Sequence, residues 1–274
     1  MTERIYARYW LETGDDPLRA AEVIAGEQSS GTFLKLATET PALKERSGAR
    51  VESLQVLDTV SEPSLPGGMK SSTYTRCLLE LSWPLENLGP CLPTLMATVA
   101  GNLFELAQVS GLRLLDLQLP DEFSKAYLGP AFGMAGTRRL SGVMKGPLIG
   151  TIIKPSVGLN AQETAAQVQM LVDGQIDFIK DDELQADGTY CPFEERVQAV
   201  MRVVNEATQK LGRQVMVAFN ITGELDQMKR RHDFVLQHHG SCVMVCLNSV
   251  GLTGLTEFRR HSQLPIHAHR AGWG

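Results

Sequence analysis

Cysteine is scarce in this chain and carries no pairing signal. The five residues, Cys77, Cys91, Cys191, Cys242 and Cys246, are an odd set with no Cys-x-x-Cys spacing. A disulfide framework is therefore not expected, and free thiols in a reducing compartment are, which places the protein in the cytoplasm. An excess of positive charge is also lacking: 26 Lys and Arg stand against 31 Asp and Glu, for a net charge of -5. The basic residues are scattered rather than striped, so nucleic acid is not an expected partner. No run of about 18 apolar residues occurs, and the start MTERIYARYW has no basic segment followed by an apolar one, so neither a membrane span nor a secretory leader is expected. Repeats and low-complexity tracts are missing too. What remains is 274 residues at 43 % hydrophobic content, enough to bury the core of one large domain or two ordinary ones.

The two halves are organised differently. In the first, strand candidates at 5–11, 52–57, 76–83 and 112–119 are interleaved with helical segments at 17–24 and 91–100, the mixture of a small α+β domain over 1–120. After Pro120, the turn residues Gly129-Pro130, Gly133, Gly136, Gly142 and Gly146-Pro147 crowd into 121–147, which reads as a linker without a long regular element. From 148 onward the pattern alternates: strands at 148–154, 176–182, 214–221, 242–250 and 265–270, with helices at 161–173, 192–211, 225–238 and 252–262 between them. Strands apolar on both faces, alternating with helices, mean a parallel sheet covered by helices.

One of these strands ends in four charges, Lys180-Asp181-Asp182-Glu183, after the apolar run Ile176-Asp177-Phe178-Ile179. Strand alternation sends Lys180 and Asp182 to the same side, and Glu183 can turn in from the loop beyond. With no Cys or His in the cluster, two carboxylates suit a hard cation, Mg²⁺ before Zn²⁺. As an ammonium Lys180 would repel the metal; as a carbamate formed with CO₂ it becomes a third oxygen ligand. The alternative is a solvated loop with Lys180 in a surface ion pair.

Further polar residues fall at the carboxyl ends of the same strand candidates: Lys154, Asn220, Asn248, His267, His269 and Arg270. That face carries the active site in a (β/α)₈ barrel. Taken singly, Lys154 can be a loop lysine before Pro155, Asn220 and Asn248 can cap helices, and His267 can be a core imidazole.

Four stretches, Gly150-Thr-Ile-Ile-Lys154-Pro-Ser-Val-Gly-Leu159, Gly174 to Glu183, Phe219-Asn220-Ile-Thr222 and Ile266-His-Ala-His-Arg-Ala271, resemble the large chain of ribulose bisphosphate carboxylase and its RuBisCO-like (type IV) relatives. The resemblance reaches into the first half through Gly26-Glu27-Gln-Ser-Ser-Gly-Thr32-Phe33, Gly101-Asn102-Leu-Phe104 and Gly129-Pro-Ala-Phe-Gly133. It implies an α/β protein with an N-terminal α+β (ferredoxin-like) domain and a (β/α)₈ TIM barrel. It also implies a homodimer in which Glu27, Thr32 and Asn102 reach the neighbouring subunit's substrate. By the same resemblance Lys180, Asp182 and Glu183 hold Mg²⁺, with Lys180 carbamylated by CO₂; Lys154 serves the reacting enediolate; and His269 and Arg270 meet substrate hydroxyl and phosphate groups.

Three departures narrow the expectation. Ser156 stands where carboxylases of the family carry a second lysine, Asn102 stands where methionine-salvage enolases carry a lysine base, and Phe33 replaces a tryptophan. The resemblance therefore points to a Mg²⁺-dependent lyase that stabilises an enediolate on a phosphorylated keto-sugar or keto-sugar acid, foremost a decarboxylase of the 3-oxo-isoapionate 4-phosphate type. Behind it stand a methionine-salvage enolase or isomerase, a ribulose bisphosphate carboxylase, and a non-catalytic remnant that acts as an assembly partner. The sequence ends at Gly274, just after the fifth barrel strand, so about five of eight strands are expected and the chain reads as a truncated or split member of the family. Two open sheet edges would leave such a half-barrel unstable by itself.

Overall fold

The computed structural model describes residues 3–31 and 38–272. They fall into two compact units, Met1–Tyr127 and Leu128–Gly274.

In the first unit, β1 (Arg4–Thr13), β2 (Arg50–Val60), β3 (Tyr74–Pro84) and β4 (Gly111–Gln118) form an antiparallel sheet in the order β2-β3-β1-β4. Helices α1 (Pro17–Glu27) and α3 (Leu92–Ala100) sit between strands in the ferredoxin-like order; the short α2 (Pro41–Ser47) precedes β2, and α4 (Asp121–Ala126) follows β4. Period-two alternation buries Ile5, Ala7, Tyr9 and Leu11 of β1 beside Cys77, Leu79, Leu81 and Trp83 of β3. These pack with Ala20, Ala21 and Ile24 of α1 and Leu95 and Val99 of α3. The Asp16 carboxylate accepts from the Arg19 amide and Pro17 opens the first turn, so α1 starts at a well-made cap and runs on to Glu27.

The second unit holds α5 (Gly133–Ser141), β5 (Gly150–Ile152), α6 (Ala161–Asp173), β6 (Phe178–Lys180), α7 (Phe193–Leu211), β7 (Met216–Asn220), α8 (Leu225–Gln237), β8 (Cys242–Cys246), α9 (Leu247–His261) and β9 (Ile266–His269). Its five strands pair in parallel in the order β5-β6-β7-β8-β9, each neighbour following the last in the chain, which is the winding of a partial (β/α)₈ barrel. Every residue of β7 and β8 is buried. Val168 and Val172 of α6, Val197, Val200 and Val204 of α7, and Phe258 of α9 pack against Val217, Phe219, Val243 and Val245. Ordering follows from local chemistry: Asn160 and Glu163 make a reciprocal capping box at the start of α6, and Gly212 ends α7 at φ 67°, where a side chain would be strained.

Two expectations are corrected. The strand expected over 242–250 stops at Cys246, and Leu247 already belongs to α9. The apolar run through Val250 conceals the switch, and Gly251, at φ 76° and ψ 166°, bends α9 where the helix had been expected to begin. Asn248 is therefore in the first turn of a helix rather than at a strand end. The segment 121–147 is also less irregular than its turn residues suggest, since it contains α4 and α5. All five cysteines are free; four are buried, and Cys91, just before α3, is half-exposed.

Candidate active site at the strand ends

Lys180 is the last residue of β6, in register with Ile152 of β5 and Ala218 of β7. Its side chain is buried, at 4 % exposure, and its Nζ donates to the Asp181 carbonyl (2.8 Å) and the Met244 sulfur (3.5 Å), with Glu183 Oε2 at 3.7 Å. For an ammonium with three donors these are sparse partners. Asp182, 1 % exposed, accepts from Lys154 Nζ at 2.5 Å through Oδ2 and from the Leu184 amide at 3.0 Å through Oδ1. Burial works to raise its pKa, but the hydrogen bonds from Lys154, Leu184 and Ser156 outweigh burial and hold the carboxyl below the usual aspartate range. Lys154 itself projects from just beyond β5, exposed, and also donates to Ser156 Oγ at 2.8 Å.

Glu183 is half-buried and links Lys180 to His269, whose Nε2 lies 3.6 Å from Glu183 Oε2. The Ala271 amide donates to His269 Nδ1 at 3.2 Å, so the ring presents Nε2 to the carboxylate. Beside it His267 stacks at 5.6 Å on Phe178, and its pKa is lowered by burial first and then by the Lys180 charge. The structure thus forms two contact sets at the ends of β5, β6 and β9, Lys154–Asp182 and Lys180–Glu183–His269, which adjoin because Asp182 and Glu183 are consecutive. Arg270 is exposed and has no ion pair among the described residues. Asn248 donates to the Ala271 carbonyl at 2.9 Å, which ties α9 to the segment after β9.

Glu27, half-buried at the end of α1, and Asn102, exposed in a short 3₁₀ helix (Asn102–Glu105), belong to the first unit. Thr32 and Phe33 lie outside the described residues.

Behind the charged run is a layer that sequence reasoning missed. Asp181, fully buried, accepts from Arg196 Nη2 at 3.3 Å and from the Asn220 amide at 2.9 Å. Arg196, also fully buried, donates to the carbonyls of Ala186 (2.8 Å), Cys191 (3.3 Å) and Gln185 (3.4 Å). One signal was available: Arg196 interrupts the apolar stripe Phe193, Val197, Val200, Val204 of α7, where a charge needs a buried partner.

A second cluster, His232, Asp233 and His261, lies away from the strand ends. Asp233 Oδ1 contacts His232 Nδ1 at 2.9 Å and His261 Nε2 at 2.7 Å. The Gln263 amide donates to His232 Nε2 (3.1 Å), which leaves the ring proton on Nδ1, pointing at Asp233. A metal at Nδ1 would have to displace that proton while the other nitrogen stays an acceptor, so the cluster ties α8 to the end of α9 instead. Burial raises Asp233, but the two histidine contacts outweigh it and lower its pKa.

Comparison with known proteins gives the geometry a context. The family model for the ribulose bisphosphate carboxylase large chain, catalytic domain, matches residues 133–274, and that for its N-terminal domain matches residues 3–123. A protein of Xanthobacter autotrophicus named 3-oxo-isoapionate-4-phosphate transcarboxylase/hydrolase is 72 % identical over the whole chain. One of Rhizobium etli named 3-oxo-isoapionate-4-phosphate decarboxylase is 40 % identical over 97 % of it. The crystal structure of a rubisco-like protein from Burkholderia fungorum superposes with a TM-score of 0.89 at 45 % identity over 99 % of the chain. The chain spans 66 %, 64 % and 65 % of the lengths of these three proteins.

Proposed function

This chain belongs to the family of the ribulose bisphosphate carboxylase large chain, and on that premise we propose that it carries the metal-binding half of an enzyme cleaving the carboxyl-bearing carbon–carbon bond of a phosphorylated 3-oxo sugar acid, of the 3-oxo-isoapionate 4-phosphate type. The observation that carries the reading is the meeting of Lys154 with Asp182 and of Lys180 with Glu183 and His269 at the strand ends, with Ser156 where a carboxylase would present a second lysine.

The residues fit Mg²⁺. Asp182 is held as a carboxylate, Glu183 sits within reach of Lys180, and the sparsely partnered Lys180 amine gains an oxygen ligand if it takes up CO₂ as a carbamate. When bound, Mg²⁺ supplies positive charge that lowers the cost of an enediolate. In a β-keto acid the bond to the carboxyl carbon breaks, its electron pair stays on the sugar carbon as the enediolate, and that carbon then takes a proton. Lys154 Nζ, exposed at the mouth and already hydrogen-bonded to two oxygens, is the group suited to deliver it. His269 Nε2, fixed by the Ala271 amide, orients a substrate hydroxyl, and the exposed Arg270 guanidinium receives phosphate oxygens. Glu27, Thr32 and Asn102 complete the site from the neighbouring subunit of a homodimer in the cytoplasm. A second reading, transfer of the carboxyl group instead of its release, draws on the name of the Xanthobacter relative.

The test is incubation of the intact protein with carboxyl-labelled 3-oxo-isoapionate 4-phosphate, Mg²⁺ and bicarbonate. Label leaving as CO₂, or recovered on an acceptor, is the expected result, with no turnover in Lys180→Ala and with Mg²⁺ affinity rising with bicarbonate only in the wild type. An inert substrate, or carboxylation of ribulose bisphosphate, would overturn the proposal.

A further inference from the structure

Asn220 closes β7 and is fully buried, yet nothing in the chemistry above uses it. It is not a helix cap: α8 begins at Leu225 and is capped by Glu224. Its two N–H donor groups turn instead to the charged run on the adjacent strand. Its backbone amide donates to Asp181 Oδ2 at 2.9 Å, and its Nδ2 donates to the Asp182 carbonyl at 3.3 Å and the Glu183 carbonyl at 3.1 Å. Its Oδ1 accepts from the Thr222 amide at 3.1 Å, which fixes which end of the side-chain amide faces the run.

We infer that Asn220 is a positioning residue that sets the spacing of Asp182 and Glu183 by clamping their main chain; the inference rests on the Mg²⁺ reading of those carboxylates. Three consecutive residues are held by one side chain and its own amide from the neighbouring strand. The loop that follows is fixed independently by Arg196 through the carbonyls of Gln185, Ala186 and Cys191. The two carboxylates therefore leave a backbone pinned on both sides. Only an amide of this size can hold both carbonyls, because aspartate would set an oxygen against two carbonyl oxygens, and leucine would fill the space while leaving both carbonyls without a donor. Partners that orient metal ligands in this way typically change metal affinity by about 10–100-fold when removed.

The experiment is Mg²⁺ titration calorimetry on the intact protein, with unfolding measured in parallel, for Asn220→Leu, Asn220→Ser, Val217→Ala and Asp182→Asn. Val217 is buried on the same strand in the apolar cluster, and its amide donates to Ser241, so its variant reports what a packing loss alone does to the metal. The expected result is a Kd weakened by about 10–100-fold in the Asn220 variants, an unchanged Kd in Val217→Ala, and loss of binding in Asp182→Asn. If the leucine variant does not fold, the smaller serine variant carries the comparison. Wild-type affinity in a folded Asn220 variant, or equal weakening in Val217→Ala, would overturn the clamp while leaving the metal reading intact. Undiminished binding in Asp182→Asn would overturn the metal reading and the clamp with it.

Discussion

Replacing Arg196 by methionine tests the layer beneath the site most directly. The Arg196 and Asp181 side chains are 1 % and 0 % exposed and meet at 3.3 Å, so the substitution leaves a buried carboxylate with the Asn220 amide as its remaining donor. Breaking a buried pair from one side costs about 3–5 kcal/mol. The carbonyls of Gln185, Ala186 and Cys191, which lose a donor together, push the loss toward the upper end of that range. Against a domain stability of about 5–15 kcal/mol, this is a shift that urea denaturation followed by circular dichroism resolves easily. Metal should be chelated throughout, so that binding does not mask the change. Burial raises the Asp181 carboxyl above its usual range despite Arg196, whereas on Arg196 the carboxylate outweighs burial and strengthens the guanidinium's hold on its proton. A guanidinium keeps its proton in a protein, so Asp181 faces a positive charge at every pH of interest. Without Arg196 the carboxyl rises further. A raised carboxyl favours the fold below its unfolded pKa and loses that contribution as pH climbs through the folded value, so the deficit of Arg196→Met should be smaller in mild acid than at neutral pH. The double variant Asp181→Leu/Arg196→Met, with no lone buried charge, should recover part of the loss. A single variant within about 1 kcal/mol of wild type, well below the range for a broken buried pair, or a double variant less stable than the single, would refute the reasoning.

Two further outcomes are expected. Lys154→Ala should slow proton exchange at the substrate carbon by about 10²–10⁴-fold while Mg²⁺ calorimetry shows binding retained; loss of binding instead would make Lys154 part of the metal scaffold. Asp187 is lowered by the Phe193 amide and, against burial, by Arg231. Its stabilisation is therefore present above the ordinary aspartate value of 3.8 and lost as pH falls through the depressed one, so Asp187→Asn should flatten the fall in stability below about pH 4, and an unchanged profile would count against this contribution.

Local signals made much of this architecture legible. Helix α6 covers the 161–173 expected from its pattern, and its ends are local, with Asn160 and Glu163 at the start and Gly174 at the stop; the charged run and strand alternation likewise singled out Lys180 and Asp182. Where no cap or turn residue marks a boundary, reading failed: Leu247 opens α9 from inside an apolar run. The short α2 passed unnoticed although Thr40 caps it and Pro41 opens it, because none of its residues is buried and no apolar period marks it. The supporting layer was illegible for another reason. Asp181 meets Arg196 fifteen residues later and Asn220 thirty-nine residues later, contacts fixed by strand order rather than by spacing along the chain. The side chains of Lys154 and Asp182 meet in the same way across 28 residues, which only parallel pairing of β5 with β6 arranges.

The distribution of thiols has a practical side. Cys77, Cys191, Cys242 and Cys246 are buried, and burial pushes the Cys242 thiol up to about 12, so little thiolate forms there at neutral pH. Cys91 is half-exposed, and the Thr94 hydroxyl, which donates to its sulfur at 3.3 Å, lowers its pKa. Toward maleimide or iodoacetamide the folded molecule should thus behave as if it held one cysteine. A fluorophore or spin label would attach beside α3 without mutagenesis, and the other four thiols would report unfolding by becoming reactive.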